Sequence, residues 1–175
     1  MLLAELPGQL FAADLSPTAV ARARQNIREK RGNVVQFAAA QSMALPFREA
    51  SFDLVIASDG LYSWDIERKE RATALKQIHR TMSPDGRAIF TEHARRRRFG
   101  EFVGEIAASS LRVESVFYLH DRPSYQLESW LKAVQGWRVA KAIRRSVDLA
   151  RVLSGVGRLF GTYGARHICV VARKA

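Results

Sequence analysis

Asp14 stands at the end of a short apolar run, Gln9-Leu10-Phe11-Ala12-Ala13, just ahead of a helix start. A lone carboxylate there can accept two hydrogen bonds from a ribose diol, the part played by the acidic residue of nucleotide-binding α/β folds. It can equally do no more than favour the dipole of the helix that follows. Gln41 and Ser42 offer an amide and backbone donors beside Met43, Leu45 and Phe47. An adenine needs that mixture of a flat apolar slot and a few edge-directed polar groups. Ser58-Asp59-Gly60-Leu61-Tyr62-Ser63-Trp64 follows a third apolar run. Gly60 admits a ligand close to the backbone, and Tyr62 or Trp64 can face a cationic centre or simply pack in the core. His93 ends a fourth run and, with Asp59, is the candidate for taking a proton from a bound acceptor; His120 is more distant. His79 lies on a polar helix face and His167 begins the last strand, and neither is assigned a role.

The elements that must position these residues are legible from periodicity. After the first strand, Ser16 caps a helix, Pro17 fits its first position, and Ala19, Val20, Ala23 and Ile27 recur at helical spacing until Gly32-Asn33. Val34–Phe37 reads as a second strand. Phe52–Ala57 is a near-continuous apolar run, which predicts a strand buried on both faces, as in a parallel sheet. A helix over Glu67–Met82 turns Ala72, Leu75, Ile78 and Met82 to one side. Pro84-Asp85-Gly86 predicts a turn in which glycine supplies a positive φ, leading into the strand Arg87–Glu92. Helix is expected over Phe99–Ser110, strand over Val113–Leu119, helix over Tyr125–Val134 and Trp137–Leu153, and a last strand over His167–Ala172. Strands alternating with helices predict an α/β fold with crossover connections on a mostly parallel sheet, helices on both faces, in a single domain over residues 1–175.

Composition narrows the function classes. The chain has 175 residues, 47% of them apolar, and 28 Lys and Arg against 17 Asp and Glu, for a net charge of +11. This excludes a disordered tail, a collagen-like fibre and a disulfide-stapled mini-protein. Cys169 is a single cysteine, so no internal disulfide forms, and no metal site is expected. No apolar run approaches the roughly 18 residues that span a bilayer, and a cytoplasmic protein is expected. The basic charge gathers in Arg95-Arg96-Arg97-Arg98 and between Arg138 and Arg158, either as solvated helix faces or as a footprint for nucleic acid or anionic lipid. Residues 121–166 carry Trp130, Trp137 and Tyr163 among basic side chains, with Ala140, Ile143, Val147 and Ala150 as an apolar strip. That segment is expected to be helical and to form an acceptor or lid region, an interfacial helix, or a helix packed on the sheet.

Four segments carry a resemblance in register. Asp14-Leu15-Ser16-Pro17 with its helix, Ala44-Leu45-Pro46-Phe47, Ser51–Ser58 with Leu61-Tyr62, and Met82-Ser83-Pro84-Asp85-Gly86-Arg87 together resemble the class I S-adenosylmethionine-dependent methyltransferases. The resemblance implies a Rossmann-like fold, S-adenosylmethionine as cofactor, and methyl transfer to a small-molecule acceptor. It further implies that Asp14 and Leu15 lie at the cofactor ribose, Gln41 and Ser42 at the adenine, and Ser58, Asp59, Gly60 and Tyr62 near the methionine moiety. An RNA methyltransferase is a second expectation, supported by the basic charge, although no NPPY-like tetrapeptide occupies Asp59–Tyr62. A non-catalytic remnant or interaction subunit is a third.

Two departures from the family pattern stand out. Gln41 replaces the usual acidic residue, a tolerable change because an amide oxygen still accepts from the adenine amino group. The glycine-rich loop after the family's first strand is absent, and Gly155-Val156-Gly157 through Gly161 follows a predicted helix, as a connector or as a displaced cofactor loop. Without the central first strand, buried strand edges face a gap, and each orphaned polar group costs about 1–3 kcal/mol. The expectation is therefore direct closure of the flanking strands, a strand supplied by a partner, or an incomplete version of a longer protein, with the last favoured. Such a chain is expected to bind the cofactor weakly or not at all.

Overall fold

A computed structural model describes residues 8–28, 35–61, 66–135 and 147–175. The chain divides into two compact units, Met1–Arg48 and Glu49–Ala175. In the first, β1 (Leu10–Asp14) pairs in parallel with β2 (Val35–Ala39), joined through α1 (Pro17–Arg28). Ser16 caps α1 as its residue type predicts, its Oγ accepting the Ala19 amide at 3.2 Å. Val20 is the buried residue of the helix, with Ala23 and Ile27 half-buried on the same side and Ala19 outside. Gly32 and Asn33, expected to close the helix, lie outside the described residues.

The second unit is a four-stranded sheet in the order β3-β4-β6-β5. β3 (Phe52–Ser58) runs parallel to β4 (Met82–His93), β6 (His167–Lys174) antiparallel to β4, and β5 (Leu111–Leu119) antiparallel to β6. Three strands thus point one way and only β6 is reversed. Four helices accompany the sheet among the described residues: α2 (Arg68–Thr81), α3 (Phe99–Ala107), α4 (Arg122–Gln135) and α5 (Val147–Leu159). Its core is built from Ala88, Phe90, Ile168, Val170 and Ala172 on the two central strands, with Leu75 and Ile78 of α2 and Phe102 and Ile106 of α3, all nearly inaccessible to solvent. Each such large side chain stabilises the fold by about 1.5–3 kcal/mol relative to exposure.

Three local expectations are corrected. β3 is not buried on both faces: Leu54 and Ile56 are 43% and 40% exposed, because β3 borders its sheet and pairs only with β4 among the described residues. Ala74 and Arg71, not Ala72, share the buried side of α2 with Leu75 and Ile78. Pro84-Asp85-Gly86 is a bulge inside β4, since Phe52 pairs with Met82 but Leu54 already with Arg87. Gly86 does not have a positive φ. Glycine is needed there because a Cβ would lie 2.9 Å from the Ser83 carbonyl oxygen and 3.0 Å from that of Phe52.

Arg71 is the sequence's least visible structural residue. It is 6% exposed, and its Nε and Nη2 donate to the two carboxylate oxygens of Glu105 on α3, both at 2.9 Å, while Nη1 donates to the Ile66 carbonyl at 2.9 Å. This bidentate pair locks α2 to α3. The basic run Arg95–Arg98 forms a short 3-10 turn ahead of α3, where Arg98 meets Glu101 at 3.3 Å and Arg96 lies over the Tyr163 ring at 4.0 Å.

Candidate functional site

In open α/β sheets, ligands bind beyond the carboxyl ends of the parallel strands. In the first unit Asp14 is the last residue of β1, in register with Ala39 at the end of β2. Its carbonyl oxygen accepts the Ala40 amide at 3.0 Å, so Asp14 and Gln41 lie at the same end of one strand pair. The Asp14 side chain is exposed; Oδ1 accepts the Ser16 amide at 2.8 Å, tying the carboxylate to the start of α1. Leu15 is 68% exposed, Gln41 is exposed and Ser42 half-buried, with Phe11 and Phe47 edge-to-face at 5.8 Å in the same unit.

In the second unit, Ser58 ends β3 and its Oγ accepts from Thr91 Oγ1 at 2.9 Å. Asp59 follows with φ +49°, a left-handed conformation that aspartate tolerates better than most residues. Its amide donates to the Thr91 carbonyl at 2.8 Å, and its Oδ1 accepts the His93 amide at 2.9 Å. Asp59 thereby clips the end of β3 to the end of β4. Gly60 leaves its neighbourhood open, the nearest atom to a built Cβ being Ser58 O at 3.7 Å. Leu61 is buried, and its amide donates to the buried Glu92 carboxylate at 3.3 Å. Tyr62 and Trp64 lie outside the described residues.

The strand order brings to His93 a set of residues that spacing alone did not join. His93 on β4 and His167 on β6 are direct antiparallel partners, and Leu119 at the end of β5 is the other partner of His167. The two imidazoles lie 4.8 Å apart. Asp121, two residues past β5, reaches His167 Nδ1 with Oδ2 at 2.7 Å and accepts the Arg166 amide with Oδ1 at 3.0 Å. The Arg166 guanidinium sits 3.4 Å over the Tyr125 ring, and its Nη1 is buried without a hydrogen-bond partner, as is His120 Nδ1. The hydrogen bond that His167 donates to Asp121 holds His167 above the ordinary histidine range. Burial, and the positive charges of Arg166 and His167, hold His93 below it. Burial pushes Asp121 up, but the hydrogen bond with His167 and its charge outweigh this and leave Asp121 below the usual carboxylate value. His167 joins the candidates through these contacts, although the sequence reading assigned it no role. Its only signal was that it opens a strand, and strand direction decides which end of the sheet that is.

Beside this cluster, Arg122, Gln126, Val156, Phe160 and Tyr163 line a cleft of about 400 Å³ between α4, α5 and the 3-10 turn Gly161–Gly164. Gly155 and Gly157 lie within α5 and Gly161 just beyond it, so these glycines do not form a strand-to-helix cofactor loop. Gly157 marks a close approach: a Cβ there would stand 2.5 Å from the His120 carbonyl oxygen. Ala140 and Ile143 of the expected apolar strip, and the side chains of Val147 and Ala150, lie outside the described residues.

Residues 1–90 match the family model for a methyltransferase domain, just over half of the chain. The chain belongs to the class I S-adenosylmethionine-dependent methyltransferases. Among relatives of this methyltransferase domain, a demethylmenaquinone methyltransferase of Thermus thermophilus is 35% identical over 53% of this chain and 40% of its own length. A demethylmenaquinone methyltransferase of Lactococcus lactis is 31% identical over 49% of this chain and 32% of its own. The chain therefore spans a third to two fifths of the curated relatives it matches. A TehB-like SAM-dependent methyltransferase from Corynebacterium glutamicum shares the fold, with a TM-score of 0.60 over 99% of this chain and 72% of that one at 21% identity. Rossmann-like architecture is thus a property of this methyltransferase domain as well as of its sequence. No helix among the described residues is long and apolar enough to cross a membrane.

Proposed function

We propose that this domain takes part in methyl transfer from S-adenosylmethionine to a small-molecule acceptor. The supporting observation is Asp14, an exposed carboxylate ending β1 in register with the end of β2, where the family holds the ribose of its cofactor. Asp14 and Leu15 would hold the ribose, Gln41 and Ser42 the adenine, and Ser58, Asp59, Gly60 and Tyr62 the methionine side. Within the first unit the donor types fit a nucleoside: one carboxylate with an oxygen beyond its Ser16 contact, and one amide.

When bound, the cofactor supplies a methyl group on a sulfonium, so the chain's task is to position an acceptor in line and to accept a proton where the acceptor must lose one. His93 and Asp59 are the candidates for contact with the acceptor. Residues 121–166 would form the acceptor side, with the cleft of Arg122, Phe160 and Tyr163 receiving a ring. The demethylmenaquinone methyltransferases among the relatives are named for a quinone, and a flat-ringed acceptor is the reading they support.

Calorimetric titration with S-adenosylmethionine and S-adenosylhomocysteine tests the reading. Weak but saturable binding, lowered at least tenfold further by Asp14→Ala at about 1.4 kcal/mol per factor of ten, is expected of this chain. Binding that is absent even at millimolar cofactor, or indifferent to Asp14, overturns it.

A further inference from the structure

We infer that the Asp121–His167 pair is a proton-accepting station for an acceptor bearing an ionisable hydroxyl on a flat ring, a phenol or quinol. The inference rests on the methyl-transfer reading and adds to it the residue that takes the proton. A carboxylate only accepts hydrogen bonds, so the 2.7 Å contact requires His167 Nδ1 to carry the hydrogen. Nε2 is then the nitrogen left to receive a proton. The carboxylate is itself fixed, since its other oxygen accepts the Arg166 amide at 3.0 Å. Backbone thus orients carboxylate, and carboxylate orients imidazole, the arrangement that a general base needs. Asp121 is accordingly a positioning residue and His167 the group that would touch the acceptor.

One cation beside the pair, Arg166, can meet an oxyanion. Around His167 stand Asp121, Asp59, Arg166 and, 4.8 Å away on the facing strand, His93. Arg166 brings a buried Nη1 with no hydrogen-bond partner, a donor that an anionic oxygen would satisfy. Asp121 holds His167 above the ordinary histidine range, so Nε2 is a stronger base than that of a free imidazole. His93 beside it is held below the ordinary histidine range, by burial first and by Arg166, against the opposing pull of Asp121 and Asp59. In the step, the acceptor hydroxyl gives its proton to Nε2. The electron pair released forms the new bond to the methyl carbon, from the oxygen or from a ring carbon conjugated to it. The methyl–sulfur bonding pair stays on sulfur. Where carbon attacks, the ring hydrogen then leaves as a proton and the hydroxyl is restored.

The experiment uses the full chain with 4-nitrophenol as the probe, following phenolate absorbance at a pH about one unit below the free phenol's midpoint, with NMR titration of the histidine ring protons. Wild type is expected to raise the phenolate fraction on binding. Asp121→Asn should lower the His167 midpoint by about one pH unit, a tenfold change in protonation ratio, and remove the phenolate signal. His167→Gln should also remove it; circular dichroism verifies folding. A probe that binds without ionising, or an Asp121→Asn variant with an unmoved His167 midpoint, overturns the inference. Cofactor titrations run in parallel keep the two readings apart. Lost cofactor binding with an intact phenolate signal refutes methyl transfer alone, and intact cofactor binding without the signal refutes the proton station alone.

Discussion

Gly155 and Gly157 sit two residues apart in α5, yet alanine should act on them in opposite directions. In a helix interior alanine is favoured over glycine by about 0.8–1 kcal/mol, because it restricts the unfolded backbone. At Gly155 nothing lies within 4 Å of a built Cβ, so Gly155→Ala should stabilise by about that amount. At Gly157 the Cβ would stand 2.5 Å from the His120 carbonyl oxygen and 2.8 Å from its Cβ, and the Gly157 backbone in turn abuts Gly164. These are backbone and Cβ atoms, which cannot swing aside as a side-chain tip would. Overpacking of this kind costs about 1–3 kcal/mol. The propensity gain is common to both variants and cancels in their difference, leaving a gap of about 1–3 kcal/mol, or roughly 2–12 °C in Tm for a chain of this length. Urea unfolding of the two variants beside wild type measures it. Equal stabilities, or Gly157→Ala as the more stable, would refute the packing of α5 on the segment that carries His120 and Asp121.

Arg71→Met should destabilise by about 3–5 kcal/mol, since it strands the Glu105 carboxylate, 10% exposed, with Arg68 at 3.4 Å on its outer side. The double variant Arg71→Met/Glu105→Leu should recover most of the loss in chemical denaturation, and a simple sum of two penalties would contradict the pairing. Asp121→Asn should cost more stability near pH 5.5 than near pH 8.5. The raised His167 contributes fully below its unfolded value of about 6.5 and loses that contribution as pH climbs through its folded value, whereas the lowered Asp121 contributes above about 3.8 and loses it as pH falls through its own. The pair's full effect thus lies between about pH 4 and 6.5, and thermal melts showing the same deficit at both pH values would exclude the coupling.

What the sequence disclosed follows from the range of the forces involved. Ser16 and Pro17 mark the start of α1 through contacts within one turn, and the apolar period of α2 needs only its own residues, so both are readable locally. Ala72 and Ala74 are indistinguishable by type, and only the placement of α3 and its Glu105 decides that Arg71 and Ala74 face inward. Gly86 was legible as special, but for a different physical reason: β3 and β4 run side by side there, and the Phe52 carbonyl leaves no room for a Cβ. Asp14 and Gln41 could be placed because parallel strands joined by one helix end together. His167 could not, because β6 runs against its neighbours β4 and β5, and its first residue lies where their last residues lie.

Asp59 shows why the two candidates first singled out for proton transfer are not independent. Its amide holds Thr91, its carboxylate holds the His93 amide, and its left-handed backbone makes both contacts at once. Replacing it by alanine would remove an anchor for His93 and place a methyl side chain in a conformation that costs about 1–2 kcal/mol for ordinary residues. A loss of turnover in that variant would therefore report a displaced His93 as readily as a missing base. His167 carries no such ambiguity, since its imidazole is held by a side chain from β5's end rather than by the clip between β3 and β4, and Asp121→Asn alters the charge on that support while preserving its size. Asp121→Asn thus tests the proposed proton acceptor at the tip of the reversed strand without moving the backbone that frames it.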